Sequence, residues 1–161
     1  MDEHRHGEES DHAGVRFVPP GGGRVYEQRG FRGAIKVDNA ESGGGQCFSE
    51  WTVDPGAEGP PPHLHRRHQE AFFVVEGTLT FTVGDATFEA EPGAFLYIPP
   101  GVVHSFSNPG QATARCVNAY VPGGIEGFFV EVGEAFARGE PDPAELGRLS
   151  AKYDVHFADG D

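Results

Sequence analysis

The chain has 161 residues, which suits one domain with a single sizeable core, and its 24 glycines and 13 prolines favour many short strands joined by turns over long helices. A formal charge of −13 argues against nucleic acid and anionic membrane surfaces as partners, because both are bound through basic patches. No stretch approaches the roughly 20 apolar residues that span a bilayer, and the polar start "MDEHRHGEESDH" lacks the apolar core of a secretory signal, so the expected location is cytoplasmic.

Residues 1–14 are charged and without periodicity and read as a disordered tail, with His4 and His6 as solvated side chains. The β domain is placed at 15–121. From Arg24 to Val121 short runs such as "AIKVDNA", "CFSEWTVDPG", "AFFVVEG", "TLTFTVGD", "AFLYIPPG" and "ARCVNAYVPGG" combine β-branched and aromatic residues between glycine, proline or aspartate breaks. Turn chemistry predicts a hairpin across Glu76-Gly77 and another across Gly84-Asp85. In "TLTFTV", Leu79, Phe81 and Val83 alternate with threonine, a strand with one wet face. Closely spaced antiparallel strands of this kind make a sandwich or barrel. Cys47 and Cys116 are far apart and not in a Cys-x-x-Cys pattern, and read as reduced thiols in strands.

After Pro122 the period changes. Ile125, Phe128, Phe129, Val132 and Phe136 mark one face of a helix that stops near Gly139. A second helix starts at "DPAEL", with Asp142 as N-cap, Pro143 at the first position and Leu146, Leu149 and Tyr153 as its apolar stripe. Residues 122–161 are therefore expected as a helical extension packed on the β domain or across a subunit interface. The aromatic helix 125–138 offers extra apolar surface for a homodimer.

The chemistry concentrates in "PPPHLHRRHQEAFFVVEG". Residues two apart on a strand share a face, so His63 and His65 present two imidazoles side by side, and Glu70 opens the next strand on the same face as Phe72 and Val74. His104, in "PPGVVHSFSN", is the candidate for a fourth ligand. Three imidazoles and one carboxylate suit a first-row divalent metal, leaving it a net charge near +1 with which to polarise a bound oxygen or enolate. His68 reads as a loop residue facing solvent, Arg66 and Arg67 as surface charges, and Glu76 as a strand-edge residue. Asn108 reads as a brace for the last turn.

These residues resemble the cupins. The first cupin motif, G-x5-H-x-H-x3,4-E-x6-G, is matched by His63, His65, Glu70 and Gly77, with Ala57 where the leading glycine would stand. The second, G-x5-P-x-G-x2-H-x3-N, is matched by Gly93, Pro99, Gly101, His104 and Asn108. The resemblance implies an all-β fold, a double-stranded β-helix (jelly-roll barrel), with His63, His65, Glu70 and His104 converging on one divalent transition metal ion inside its mouth. Nickel, manganese, iron, cobalt, zinc and copper all suit those ligands. The resemblance also implies a homodimer as the assembly. Pro99-Pro100-Gly101 then makes the turn that aims His104 inward. Trp51, Phe72, Tyr97, Phe106 and Tyr26 are the candidate substrate-pocket residues, and Glu70 the candidate catalytic base.

The order of the motifs and the C-terminal "GIEGFFVEVG…PDPAELGRLSAKYDVHF" is similar to bacterial single-domain cupins described as quercetin 2,3-dioxygenase-like. That resemblance implies a small-molecule substrate with an enolisable or phenolic oxygen, cleaved with dioxygen. Two alternatives stand beside it: a metal-dependent isomerase, cyclase or hydrolase acting on a small carbonyl compound, and a non-catalytic module that binds a metal or small molecule.

Overall fold

The structure is a computed structural model that describes residues 10–158. Its strands are β1 (Ser10–His12), β2 (Val15–Phe17), β3 (Arg24–Gln28), β4 (Phe31–Val37), β5 (Cys47–Val53), β6 (His63–Leu64), β7 (Gln69–Glu76), β8 (Leu79–Val83), β9 (Ala86–Ala90), β10 (Phe95–Ile98), β11 (His104–Ser107), β12 (Ala114–Val121) and β13 (His156–Phe157). Two helices, α1 (Glu126–Arg138) and α2 (Pro143–Lys152), lie between β12 and β13. Of the tail expected to be disordered, residues 1–9 lie outside the described residues, and Ser10–His12 pair with Val15–Phe17.

The strands form the jelly roll that the motifs imply. A six-stranded sheet runs β10-β7-β12-β5-β4-β3 and a five-stranded sheet runs β13-β6-β11-β8-β9, with every pairing antiparallel. Strict alternation builds the inner face: on β5, Cys47, Ser49, Trp51 and Val53 are buried, and on β12, Ala114, Cys116, Asn118 and Tyr120 are buried. Trp51 sits at the centre of an aromatic core, its ring 5.3–5.7 Å from those of Phe31, Phe72, Phe106 and Phe129. Both cysteines are free and buried in this core, and burial pushes each thiol up to about 12.

One expected hairpin forms and the other does not. β8 pairs with β9 across Gly84-Asp85, with Val83 opposite Ala86. β7 and β8, in contrast, lie in different sheets, so Glu76-Gly77 is an arch from one layer to the other. Gly77 has φ +69, and a Cβ there would stand 2.6 Å from the Thr113 carbonyl oxygen. Close packing against the start of β12 carries the chain over instead of back.

The helices begin and end near their sequence signals. Asp142 accepts a hydrogen bond from the Ala144 amide at 2.9 Å, and the Gly139 amide donates to Phe136 at the end of α1. The placement is more specific than an outer layer. Phe129 stacks on Tyr26 at 5.3 Å and meets Trp51 and Tyr120, so α1 closes one end of the barrel. The apolar face of α1 thus faces the core, with Ile125, Phe129 and Val132 buried, and is not free to form the expected subunit contact. The exposed apolar side chains Phe73, Val75, Phe95, Tyr97 and Val117 instead share the outer face of the six-stranded sheet, where Phe73 stands between Phe95 and Val117.

Candidate metal centre

His63, His65, Glu70 and His104 come together as the sequence predicts: all four are buried, and their potential ligand atoms lie within 4.8 Å of one another. Four strands or turns deliver them. His63 and His104 are directly opposed across β6 and β11, His65 lies just beyond β6, and Glu70 is the second residue of β7. Gly101, φ +84, completes the proline turn, and its amide donates to the His65 carbonyl at 2.7 Å. The turn that aims His104 is therefore fastened to the strand carrying the other imidazoles.

Each imidazole is oriented by a carbonyl. His63 Nδ1 meets Pro61 O, His65 Nδ1 meets Asp154 O and His104 Nδ1 meets Val102 O, all at 2.9 Å. Carbonyl oxygens only accept, so each Nδ1 carries a proton and Nε2 is the atom that each ring turns toward the centre. Glu70 is divided in the same way. Its Oε1 accepts from Asn118 Nδ2 at 2.7 Å, while Oε2 faces His104 Nε2 at 2.8 Å and His65 Nε2 at 3.5 Å. His65 Nε2 is buried without a hydrogen-bond partner. A buried orphan nitrogen is costly, and a cation among the four donors would satisfy it. The donor set therefore fits one divalent transition metal.

Charge in the centre follows from burial and proximity. Burial, helped by the positive field of His104, lowers His63 to about 4, so it stays neutral at neutral pH. Burial pushes Glu70 upward, but the imidazoles of His104 and His65 pull harder and hold it well below the usual carboxylate range. For His104 burial acts downward and the Glu70 contact outweighs it, raising the imidazole. Tyr120, whose ring stands perpendicular to that of His65 at 5.6 Å, is pushed well up by burial and by the Glu70 charge, and keeps its proton.

The centre forms the floor of a cavity of about 580 Å³. Trp51, Phe72 and Phe106 line it as expected, joined by Phe31 and Tyr120. Two expected pocket residues lie elsewhere. Tyr97 is on the outer face of β10, more than half exposed, and donates to Gln69 at 2.6 Å. Its period-two partner is the outward Phe95, not Leu96 or Ile98. Tyr26 is buried behind Phe129 and is not among the lining residues. The wall facing the barrel comes from the helices, through Phe128, Phe129, Val132, Phe136 and Leu146.

His68 departs from expectation. It is buried, and its Nδ1 lies 3.0 Å from Asp154 Oδ2, a partner 86 residues away. Arg66 and Arg67 are exposed, as read from sequence. Glu76 pairs with Arg115 at 3.2 Å on the surface. Asn108 is the brace that was expected, donating to Val53 O and Ala112 O and accepting from the Gly110 amide. Asn118 and Asp154 were not identified from sequence. A lone amide on the inward phase of "ARCVNAYV" was a readable signal for the first; no local pattern marks the second.

Residues 49–120 match the family described as Cupin domain. Over 74 residues the chain is 34% identical to a quercetin 2,3-dioxygenase of Bacillus subtilis (strain 168), a segment that makes up 46% of this chain and 22% of that protein. The chain spans less than a quarter of the length of the first three curated relatives it matches. Among solved structures, an RmlC-like cupin from Shewanella frigidimarina NCIMB 400 superposes with a TM-score of 0.58 at 23% identity, covering 71% of this chain and 93% of that one. The polyketide cyclase RemF from Streptomyces resistomycificus gives 0.54 at 23% identity, covering 61% and 72%. Both structural likenesses speak to the fold. Both motifs are seated on the barrel they are expected to build, and the segment that carries them, residues 49–120, is the one that matches the Cupin domain family.

Proposed function

We propose that this protein is a metal-dependent dioxygenase acting on a flavonol-like or other enolisable or phenolic small molecule. The observation that carries the reading is the cavity. Its floor is the His63, His65, Glu70 and His104 cluster, and its walls are mostly apolar, with nine aromatic residues among them. Apolar walls with one polar end select a ring system that presents a single acidic oxygen, and disfavour a sugar, whose hydroxyls would each need a partner. The likeness to a quercetin 2,3-dioxygenase points the same way over the segment it covers.

His63, His65 and His104 would hold the metal through Nε2, and Glu70 through Oε2. The bound cation would supply Lewis acidity that favours the deprotonated form of the substrate oxygen. Glu70, ionised at neutral pH, is placed to take up that proton. Asn118 keeps Oε1 engaged, so Oε2 alone turns toward substrate or metal. Phe72, Phe106 and Trp51 exclude water around the reacting end.

Reconstitution with each of nickel, manganese, iron, cobalt, zinc and copper, followed by oxygen uptake with a flavonol, tests the reading. Uptake with at least one metal is expected; none with any would remove it. We also retain a homodimer as the assembly, now through the outer face of the six-stranded sheet, and sedimentation at micromolar concentration decides it. Among the described residues no helix is long and apolar enough to cross a membrane.

A further inference from the structure

We infer that the C-terminal segment 153–158 is a strap that couples metal binding to the seating of the helical wall, with Asp154 as its positioning residue. This rests on the metal reading of the four ligands, and uses contacts that lie outside them.

Two of the proposed ligands are held by this segment. The Asp154 carbonyl receives His65 Nδ1 at 2.9 Å. β13 pairs with β6, placing Phe157 opposite His63 and His156 opposite Leu64, and the Ala158 amide donates to Pro62 O at 2.9 Å. The strap thus covers the strand edge that carries the imidazoles on one side, and ends the helical wall of the cavity on the other. Val155 and Phe157 line the cavity together with Phe136 and Leu146 of the helices.

Asp154 fixes the strap at its turn. Its backbone is left-handed, φ +61, a conformation that aspartate adopts more readily than most residues. Its buried carboxylate collects three donors: the Arg67 amide at 2.7 Å and His68 Nδ1 at 3.0 Å on Oδ2, and His156 Nε2 at 2.9 Å on Oδ1. Two of these come from the 67–68 loop, which directly follows His65. The carboxylate therefore ties the loop to the same residue whose carbonyl orients the imidazole. Loosening the tie leaves His65 Nδ1 without a fixed acceptor, and ordering the centre tightens the tie. Linkage makes the two effects equal: whatever factor the seated strap adds to metal affinity, bound metal adds to strap seating.

The test uses the full chain, metal-free, titrated with Co²⁺ and read by its d–d absorption, with amide exchange followed by mass spectrometry with and without the ion. In the wild type, Co²⁺ is expected to slow exchange in 143–158 as well as around the ligands. Asp154→Ala removes the tie but keeps the carbonyl that His65 uses, and is expected to weaken Co²⁺ binding about 10-fold, the lower end of the range for lost partners of metal-ligating histidines. It should also change the d–d spectrum and abolish the metal-dependent protection of 143–158. Asp154→Asn keeps an acceptor for the Arg67 amide and a residue tolerant of positive φ, and should recover part of the affinity. A residue that only stabilised the fold would lower stability without moving the Co²⁺ spectrum. Affinity within twofold of wild type in Asp154→Ala, or wild-type exchange in 143–158 indifferent to bound Co²⁺, overturns the coupling while leaving the metal site intact. The wild-type exchange measurement decides even if Asp154→Ala does not fold. Absence of any Co²⁺ binding by the wild type overturns the metal reading itself, and the strap with it.

Discussion

Gly59 in the barrel and Gly147 on α2 line the same cavity and meet opposite surroundings. A Cβ on Gly59, φ +71, would stand 1.7 Å from the Phe106 carbonyl oxygen, whereas one on Gly147 would meet nothing within 4 Å. The barrel wall is closed by backbone against backbone, with no slack. The helical wall is built from side chains on two short helices and leaves room. Chemistry that requires fixed ligand positions sits on the first wall, and the shape of the cavity is adjustable on the second.

Gly59→Ala probes the rigid wall with the largest expected effect. The collision is with main chain, which cannot rotate away, and the residue must also hold a positive φ. A loss of about 3 kcal/mol or more in urea unfolding is expected. A loss below about 1 kcal/mol would mean that the barrel can shift as easily as the helices, and the contrast would be gone.

His104→Ala separates scaffold from chemistry within that wall. It removes one of the four donors and leaves Glu70 Oε2 facing only His65. Metal occupancy after purification should fall sharply, while far-UV circular dichroism keeps the β signature. Unchanged occupancy would show that the ligand assignment is wrong.

Titration of the metal-free protein gives a smaller effect with a definite sign. His63 is depressed to about 4 in the fold, against about 6.5 in an unfolded chain. The unfolded state therefore takes up a proton that the folded state refuses, and stability falls as pH drops from about 6.5 toward about 4. His104 is raised and works the other way, its contribution present at lower pH and lost as pH climbs through its folded value. The depressed carboxylates of Glu70 and Asp154 add a further loss in more acid solution, below their unfolded values of about 4. Replacing His63 by Gln should flatten the 4–6.5 limb; an unaltered limb would show that His63 is not its source.

The same contrast explains what was legible in the sequence. His63 and His65 could be paired because strand period fixes which side chains share a face; that Glu70 and His104 join them was legible through the two cupin motifs, since no local period links β7 or β11 to that pair. The arch at Gly77 was not legible: a positive-φ glycine serves a hairpin and an arch equally, and packing against Thr113 and Ala114 decides between them. Tyr97 was misplaced because a four-residue run with apolar side chains on both phases does not say which phase faces in. Buried His68 and the role of Asp154 depend on partners 86 and 89 residues apart that meet only after the helices have packed. The helical periods themselves were plain, but periodicity identifies an apolar face without saying what it covers.

The smallest effect is on the helical wall, where the sign reverses. Gly147 lies in the body of α2 and has no close neighbour, so no packing constraint requires glycine there. Gly147→Ala should raise stability by up to about 1 kcal/mol through helix propensity, or about 2–4 °C in Tm for a chain of this size. Gly147→Leu should keep most of that gain while extending a side chain into the mouth of the cavity, so metal uptake stays as in the wild type and binding of a flavonol weakens. A fall in stability in both variants would mean that α2 sits closer to the barrel than described. Equal flavonol binding in Gly147→Leu and the wild type would mean that the ligand does not pass or touch this wall, and that the barrel alone sets specificity.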